Sequence, residues 1–339
     1  MGRRSWWLVV HDRRRAGTGR TQAARRQRRE PGRALVVDRR GRRTAAASRL
    51  RDRVAEPARP ARARGRRAWR PRAPGPIASI AVRILLPPSE TKARGGRGRP
   101  LGQRVATGAL AEARADVLRA LHALTSGDPV TAARALLLPP GIAGDALAAN
   151  AAVTDSPTTP ALRRYTGVVY DGLNFAELAP EVQRAAARSV LIFSGLFGVV
   201  RGNEPVPLYR VPAKADLPGL GTASTFWRRV LHAIIPPALG RGLVIDMRSS
   251  DYAQMWRPDT ATARRVLTVR VLSPTPGGAH AVLSYPSKLA KGRLAAALVT
   301  RAASGQPVET GGDVAAAWQA CGGLRSRTAG STHLDLYTA

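Results

Sequence analysis

The chain has 339 residues with 55 Lys and Arg against 22 Asp and Glu, a net charge of +33, and one cysteine, Cys321. A lone thiol excludes an internal disulfide framework and a cysteine-built metal cluster, and points to a reducing compartment, the cytoplasm. The five His show no ligand spacing such as HExxH, and no apolar run approaches the ~18–20 residues of a membrane span, so neither a metal, a cofactor nor a membrane is expected.

The charge is uneven. Residues 1–81 carry 25 Arg and no Lys against 5 acidic residues, a net of +20, which leaves +13 for residues 82–339. The Arg and Ala richness suits a G+C-rich coding sequence. Twin arginines precede Trp6–Val10, but that apolar patch is too short for a signal peptide. Residues 1–81 show no sustained periodicity and are broken by Pro and Gly. Such a segment buries too little apolar surface to offset its ordering entropy, so it is expected to be a disordered, Arg-rich extension.

At Val82 the character changes, and because valine can reflect a GTG initiation codon the native product is expected to start there. "VRILL" is a short strand ended by Pro87-Pro88 and followed by a basic loop. From Thr107, Leu110, Ala113, Val117, Leu118, Leu121 and Leu124 recur at helical spacing, with a stop at Thr125–Asp128. Asp128 and Pro129 have the cap and first-turn chemistry of a second helix, expected to end at Pro139-Pro140-Gly141, and a third covers Asp145–Ala152. "LLPPGIAGDALA" also resembles the hairpin of a helix-hairpin-helix module, in which the N–H groups of Gly141 and Gly144 would grip phosphate; an ordinary turn in an Ala-rich bundle is the plainer reading.

"SVLIFSGLFGVV" and "GLVIDM" are apolar on both faces, as buried central strands are. "STFWRRVLHAII" predicts an amphipathic helix opened by Ser224. "RRVLTVRVL" and "HAVLSY" alternate as two strands joined at "SPTPGG", and "SKLAKGRLAAALVTRA" predicts a late basic helix opened by Ser287. Strands and helices alternate irregularly, which predicts one mixed α/β domain over 82–339.

Polar groups follow these strands directly: Ser89, Glu90, Thr91 and Lys92 after the first, Ser194 at the end of the second, and Ser249, Ser250, Asp251 and Tyr252 after "GLVIDM". The carboxyl ends of strands in such sheets collect ligand-binding groups. "YTGVVYDGLN" and "VVRGNEPVPLYR" add Tyr165, Tyr170, Arg201, Tyr209 and Arg210. Ser194 lacks the G-x-S-x-G elbow of a hydrolase nucleophile, and "GGRGRPLG" lacks the G-K-[ST] ending of a phosphate loop.

"ILLPPSETK", "YTGVVYDGLN", "LIFSGLFGVVRGNEPVPLYR", "TFWRRVL", "VIDMRSSDYAQM" and "YPSKLAKGRL" occur in the order and spacing of the YaaA-type peroxide stress proteins, which the chain resembles over 82–339. The resemblance implies a cytosolic protein of the hydrogen peroxide response that limits free iron and oxidative DNA damage. It also implies a single mixed-sheet α/β domain wrapped by helices, and duplex DNA bound through a basic cleft and a hairpin element. The family's characteristic polar positions fall on Ser194, Arg201, Tyr209, Arg210, Trp227, Ser250, Tyr252, Lys288 and Lys291, to which the residues themselves add Ser89 and Lys92. Glu90 stands where many members have a lysine, and Ala296 where they have an arginine. Two functions stay open from this reading: DNA binding, and an enzyme acting on a phosphorylated or nucleotide-like small molecule, with Arg201, Arg210, Lys92 and Lys288 holding anionic groups. Direct iron sequestration ranks below both, because carboxylates and His are sparse.

Overall fold

Runs of Val, Ile, Leu and Phe too short for helices form the central sheet. The computed structural model describes residues 82–104, 108–330 and 332–338; the extension 1–81 and Thr107 lie outside the described residues. The strands are β1 (Arg83–Leu86), β2 (Val190–Ser194), β3 (Gly198–Arg201), β4 (Val244–Asp246), β5 (Val266–Pro274), β6 (Ser326–Ala329) and β7 (His333–Tyr337). They lie in the order β6-β7-β5-β4-β1-β2-β3. From β7 to β2 every neighbour is parallel, while the edges β6 and β3 are antiparallel. The sheet is therefore mixed, with β1 at its centre between β2 and β4. Ile84, Leu85, Leu86, Ile192, Phe193, Val244 and Ile245 are wholly buried there. Each such side chain contributes roughly 1.5–3 kcal/mol by leaving water, so the two-sided apolar strands hold the centre of the molecule.

The main helices are α1 (Ala111–Thr125), α2 (Pro129–Ala135), α3 (Pro140–Ala151), α4 (Val168–Leu173), α5 (Pro180–Ser189), α6 (Ala223–Leu239), α7 (Ser284–Ala303) and α8 (Gly311–Ala320). Asp128 caps α2 by accepting from the Thr131 N–H at 2.8 Å, with Pro129 in the first turn. The α4 and α7 backbones nearly touch. A Cβ on Gly292 would stand 2.0 Å from the Val169 carbonyl oxygen, and one on Gly172 would stand 2.3 Å from that of Leu289. The "KGRL" motif is thus a helix-crossing device.

Several sequence-based boundaries shift. The expected "HAVLSY" strand shrinks to His280–Ala281, because only Ser273 and Pro274 of β5 lie opposite it. Helix α7 begins at Ser284 rather than Ser287, since Pro286 is tolerated in a first turn whose N–H groups lack partners anyway. Helix α6 is capped by Thr222, not Ser224, and runs on through Pro236-Pro237. Helix α2 stops at Ala135, and Pro140 already opens α3. Gly141 and Gly144 therefore lie inside α3 and do not form a hairpin loop. Gly144 is beyond the first turn, where backbone N–H groups bond within the helix and have none to offer a phosphate.

Candidate functional site

The chain leaves β1 toward β2 on one side of the sheet, whereas β4 leads to β5 on the other. Neighbouring parallel strands whose connections diverge leave a crevice beyond their carboxyl ends. Here that crevice is a cleft of about 590 Å³ lined by the Pro87–Lys92 loop after β1, by Ser249, Asp251 and Tyr252 after β4, and by Thr166–Tyr170, Tyr209–Lys214, Leu137 and Lys288.

Its walls are tied together by hydrogen bonds that cross long sequence separations. The Thr166 N–H donates to Ser89 Oγ at 3.0 Å, and Tyr170 Oη donates to the Pro87 carbonyl at 2.8 Å. Arg164 is fully buried and donates to the carbonyls of Ala93, Gly95, Pro157 and Val206, which fixes the loop that follows Lys92. Asn150 clamps the Arg210 backbone, accepting its N–H at 2.7 Å and donating to its carbonyl at 2.9 Å. Beneath β4, Arg248 makes a bidentate pair with Asp246, at 2.9 and 2.6 Å, and packs its guanidinium on Phe193 and Trp256. No local pattern in the sequence flagged Arg164, Asn150 or the Arg248–Asp246 pair.

The floor is a run of hydroxyls. Tyr165 Oη and Tyr209 Oη are 2.7 Å apart, and Tyr209 Oη is 2.6 Å from Ser194 Oγ, which also accepts the Leu196 and Phe197 N–H groups. Burial, reinforced by neighbouring tyrosines, pushes Tyr165, Tyr170, Tyr209 and Tyr252 above the usual phenol range. All four are protonated donors at neutral pH.

Cations form the rim. Arg210 pairs with Glu90 at 2.6 Å and Lys214 with Asp251 at 2.8 Å. Half-buried Lys92 donates to the Ser89 carbonyl at 2.8 Å and lies 4.3 Å from the Tyr209 ring centre. Burial, and then the Arg210 guanidinium, pull its ammonium down from 10.5 to about 7. Leu137, exposed at the rim, has φ +52°, a strained left-handed conformation for a leucine.

Of the eleven candidate residues, Ser89, Lys92, Tyr209, Arg210, Tyr252 and Lys288 line this cleft. Ser194 lies under it, buried. Ser250 is exposed and outside the lining, although its neighbours Ser249 and Asp251 belong to it. Lys291 is outside the lining and donates to the Met247 carbonyl at 3.2 Å. Trp227 is core: its Nε1 donates to the Gly195 carbonyl at 2.8 Å, and its ring occupies the space a Cβ on Gly198 would need. Arg201 is the clearest correction. The antiparallel return of β3 sets Gly198 against Ser194 but Arg201 against Leu191, and the Arg83 guanidinium at the start of β1 is lowered first by burial and then by the nearby charge of Arg201. It belongs to the opposite end of the sheet. Cys321, half-buried, donates to the Trp318 carbonyl, and burial raises its thiol, the reverse of a reactive thiolate's environment.

Sheet order and cleft together define a mixed α/β protein with a basic, tyrosine-floored cleft at the switch point of its sheet. The family model described as peroxide stress protein YaaA matches residues 82–309, and the chain belongs to that family. A UPF0246 protein of Streptomyces coelicolor is 42% identical over 218 residues, covering 64% of this chain and 82% of the relative. UPF0246 proteins of Corynebacterium efficiens and Corynebacterium glutamicum are 38% identical over 237 residues and 36% over 245, covering 68% and 70% of this chain and 89% and 92% of those relatives. Among the described residues, no helix is long and apolar enough to cross a membrane.

Proposed function

We propose that the chain serves the peroxide response in the cytoplasm by binding duplex DNA, receiving its phosphates in the switch-point cleft, and so limits iron-dependent oxidative damage. One observation carries this reading: Lys92, Arg210, Lys214 and Lys288, from three separate stretches of sequence, line a single cleft. The net +13 of residues 82–339 adds a field that concentrates a polyanion. In this reading the effect on iron is indirect. Among the described residues, no group of three His, Cys, Asp or Glu side chains is placed to hold a metal ion.

Titration of the chain with a labelled duplex at rising salt tests it. Four cations meeting phosphates give a log–log salt slope of about −3 to −4. Arg210→Ala should weaken binding, whereas Arg301→Ala should not, because Arg301 is held far away by the Pro307 carbonyl and Asp313. Absent or salt-independent binding overturns the reading.

The size of the cleft favours a second reading, a phosphorylated or nucleotide-like small molecule, since about 590 Å³ falls in the range of small-ligand sites. Thermal stabilisation by mononucleotides or sugar phosphates, lost in Arg210→Ala, would separate it from the first.

A further inference from the structure

Lys92 is an unusual cation. Among the described residues no carboxylate lies within ion-pair distance of it; its Nζ has the Ser89 carbonyl at 2.8 Å and the faces of Tyr209 and Tyr165 at 4.3 and 5.3 Å. Glu90, the acid whose charge reaches it, is bound by Arg210 at 2.6 Å. Lys214, by contrast, has its own carboxylate in Asp251. A desolvated amine crowded by a guanidinium is poorly stabilised as an ammonium, and such amines act as nucleophiles toward carbonyl carbon. Burial and Arg210 bring it to about 7, so roughly half the molecules carry a free lone pair at neutral pH.

We infer that Lys92 is a nucleophilic amine that forms an imine with an aldehyde carried on a phosphorylated sugar, whose phosphate Arg210 and Lys288 receive. The inference rests on the reading that the cleft takes a phosphate-bearing ligand, and adds covalent chemistry to it. The Lys92 nitrogen attacks the carbonyl carbon and forms the C–N bond. The carbonyl π pair takes up a proton and the nitrogen loses one, which gives a carbinolamine. Its hydroxyl then leaves with a second proton as water while the C=N bond forms. Amine and aldehyde become imine and water, with no oxidant or reductant. Tyr252, a protonated phenol lining the same cleft, can donate a hydrogen bond to the departing hydroxyl, whose proton comes from solvent.

Two sources carry this chemistry: a free aldose phosphate, and the ring-opened sugar of an abasic site in duplex DNA. The test has an arm for each, deoxyribose 5-phosphate and a duplex with one abasic site. Each is incubated with the full chain and sodium cyanoborohydride, which reduces an imine to a stable amine. Mass mapping of the wild-type chain should place the adduct on Lys92, and Lys92→Met should lose at least ten-fold in yield. The arm that labels identifies the source. No adduct in either arm, an adduct on Lys214, Lys288 or Lys291, or an undiminished yield in Lys92→Met overturns the inference. Binding of an intact duplex and of the sugar phosphate's reduced alcohol is measured in parallel. If either binds without an adduct forming on its aldehyde counterpart, phosphate binding stands and imine chemistry falls; if neither binds and no adduct forms, both fall.

Discussion

Lys92→Met probes the cleft through folding rather than ligand. The amine falls from 10.5 to about 7 in the folded chain. Between those values the unfolded chain holds the proton more firmly than the folded one, so folding stability rises with pH across the window. Below about pH 7 both states are charged, and the full cost, on the order of 4–5 kcal/mol, is present. From pH 7 to 9 about 2 kcal/mol of it is recovered. Methionine keeps the length of the side chain and removes the titration. It also loses the contact with Tyr209, worth ~0.5–2 kcal/mol, and the bond to Ser89, worth ~1 kcal/mol, but these move the offset between the proteins far more than its pH dependence. Urea unfolding of both proteins at pH 6, 7, 8 and 9 gives the comparison. Wild type should gain about 2 kcal/mol on the variant between pH 7 and 9, on the same argument. Parallel pH profiles would refute the claim that Lys92 is held near neutrality.

Gly292→Ala forces a Cβ to 2.0 Å from a backbone oxygen at the α4–α7 crossing. A loss of at least ~1–3 kcal/mol, read as a lower urea midpoint, is expected from such overpacking. Asp246→Asn leaves the Arg248 guanidinium buried without its counter-charge, and should cost roughly 3–5 kcal/mol in the same assay. Glu90→Gln frees Arg210 and removes the one charge that supports the Lys92 ammonium. It should tighten duplex binding, because no carboxylate then competes with phosphate for Arg210; unchanged or weaker binding would show that Glu90 is not a displaced counter-ion.

The centre of the sheet was legible because β1, β2 and β4 are buried on both faces, and a strand that is apolar throughout has few other places to go. The polar residues just after β1 and β4 followed from the same rule about strand ends. Elsewhere local pattern misled. "HAVLSY" alternates like a strand, yet Val282, Leu283 and Tyr285 are exposed, so the alternation buries nothing. Arg201 sits in the same motif as Ser194, and only the register of β3 reveals that the chain carries it to the far end of the sheet. Nothing in "ALRRYTG" marks Arg164 as buried; its partners at Ala93 and Gly95 lie some seventy residues away, which no local reading supplies.

The cleft's charges fall into two tiers with different physical meaning. Arg164 and Arg248 are buried and bound to fixed partners, so they set geometry and have nothing to offer a ligand. Arg210 and Lys214 are instead held by Glu90 and Asp251, of which Glu90 is 80% exposed at its side chain. Ion pairs of that kind are worth only ~0–1 kcal/mol, so an incoming phosphate displaces the carboxylates at little cost. Until then they hold the guanidinium and ammonium in place over the tyrosine floor. Glu90 therefore acts as an exchangeable counter-ion. It lowers the cleft's resting charge and leaves Lys92, the amine beneath it, without a carboxylate of its own.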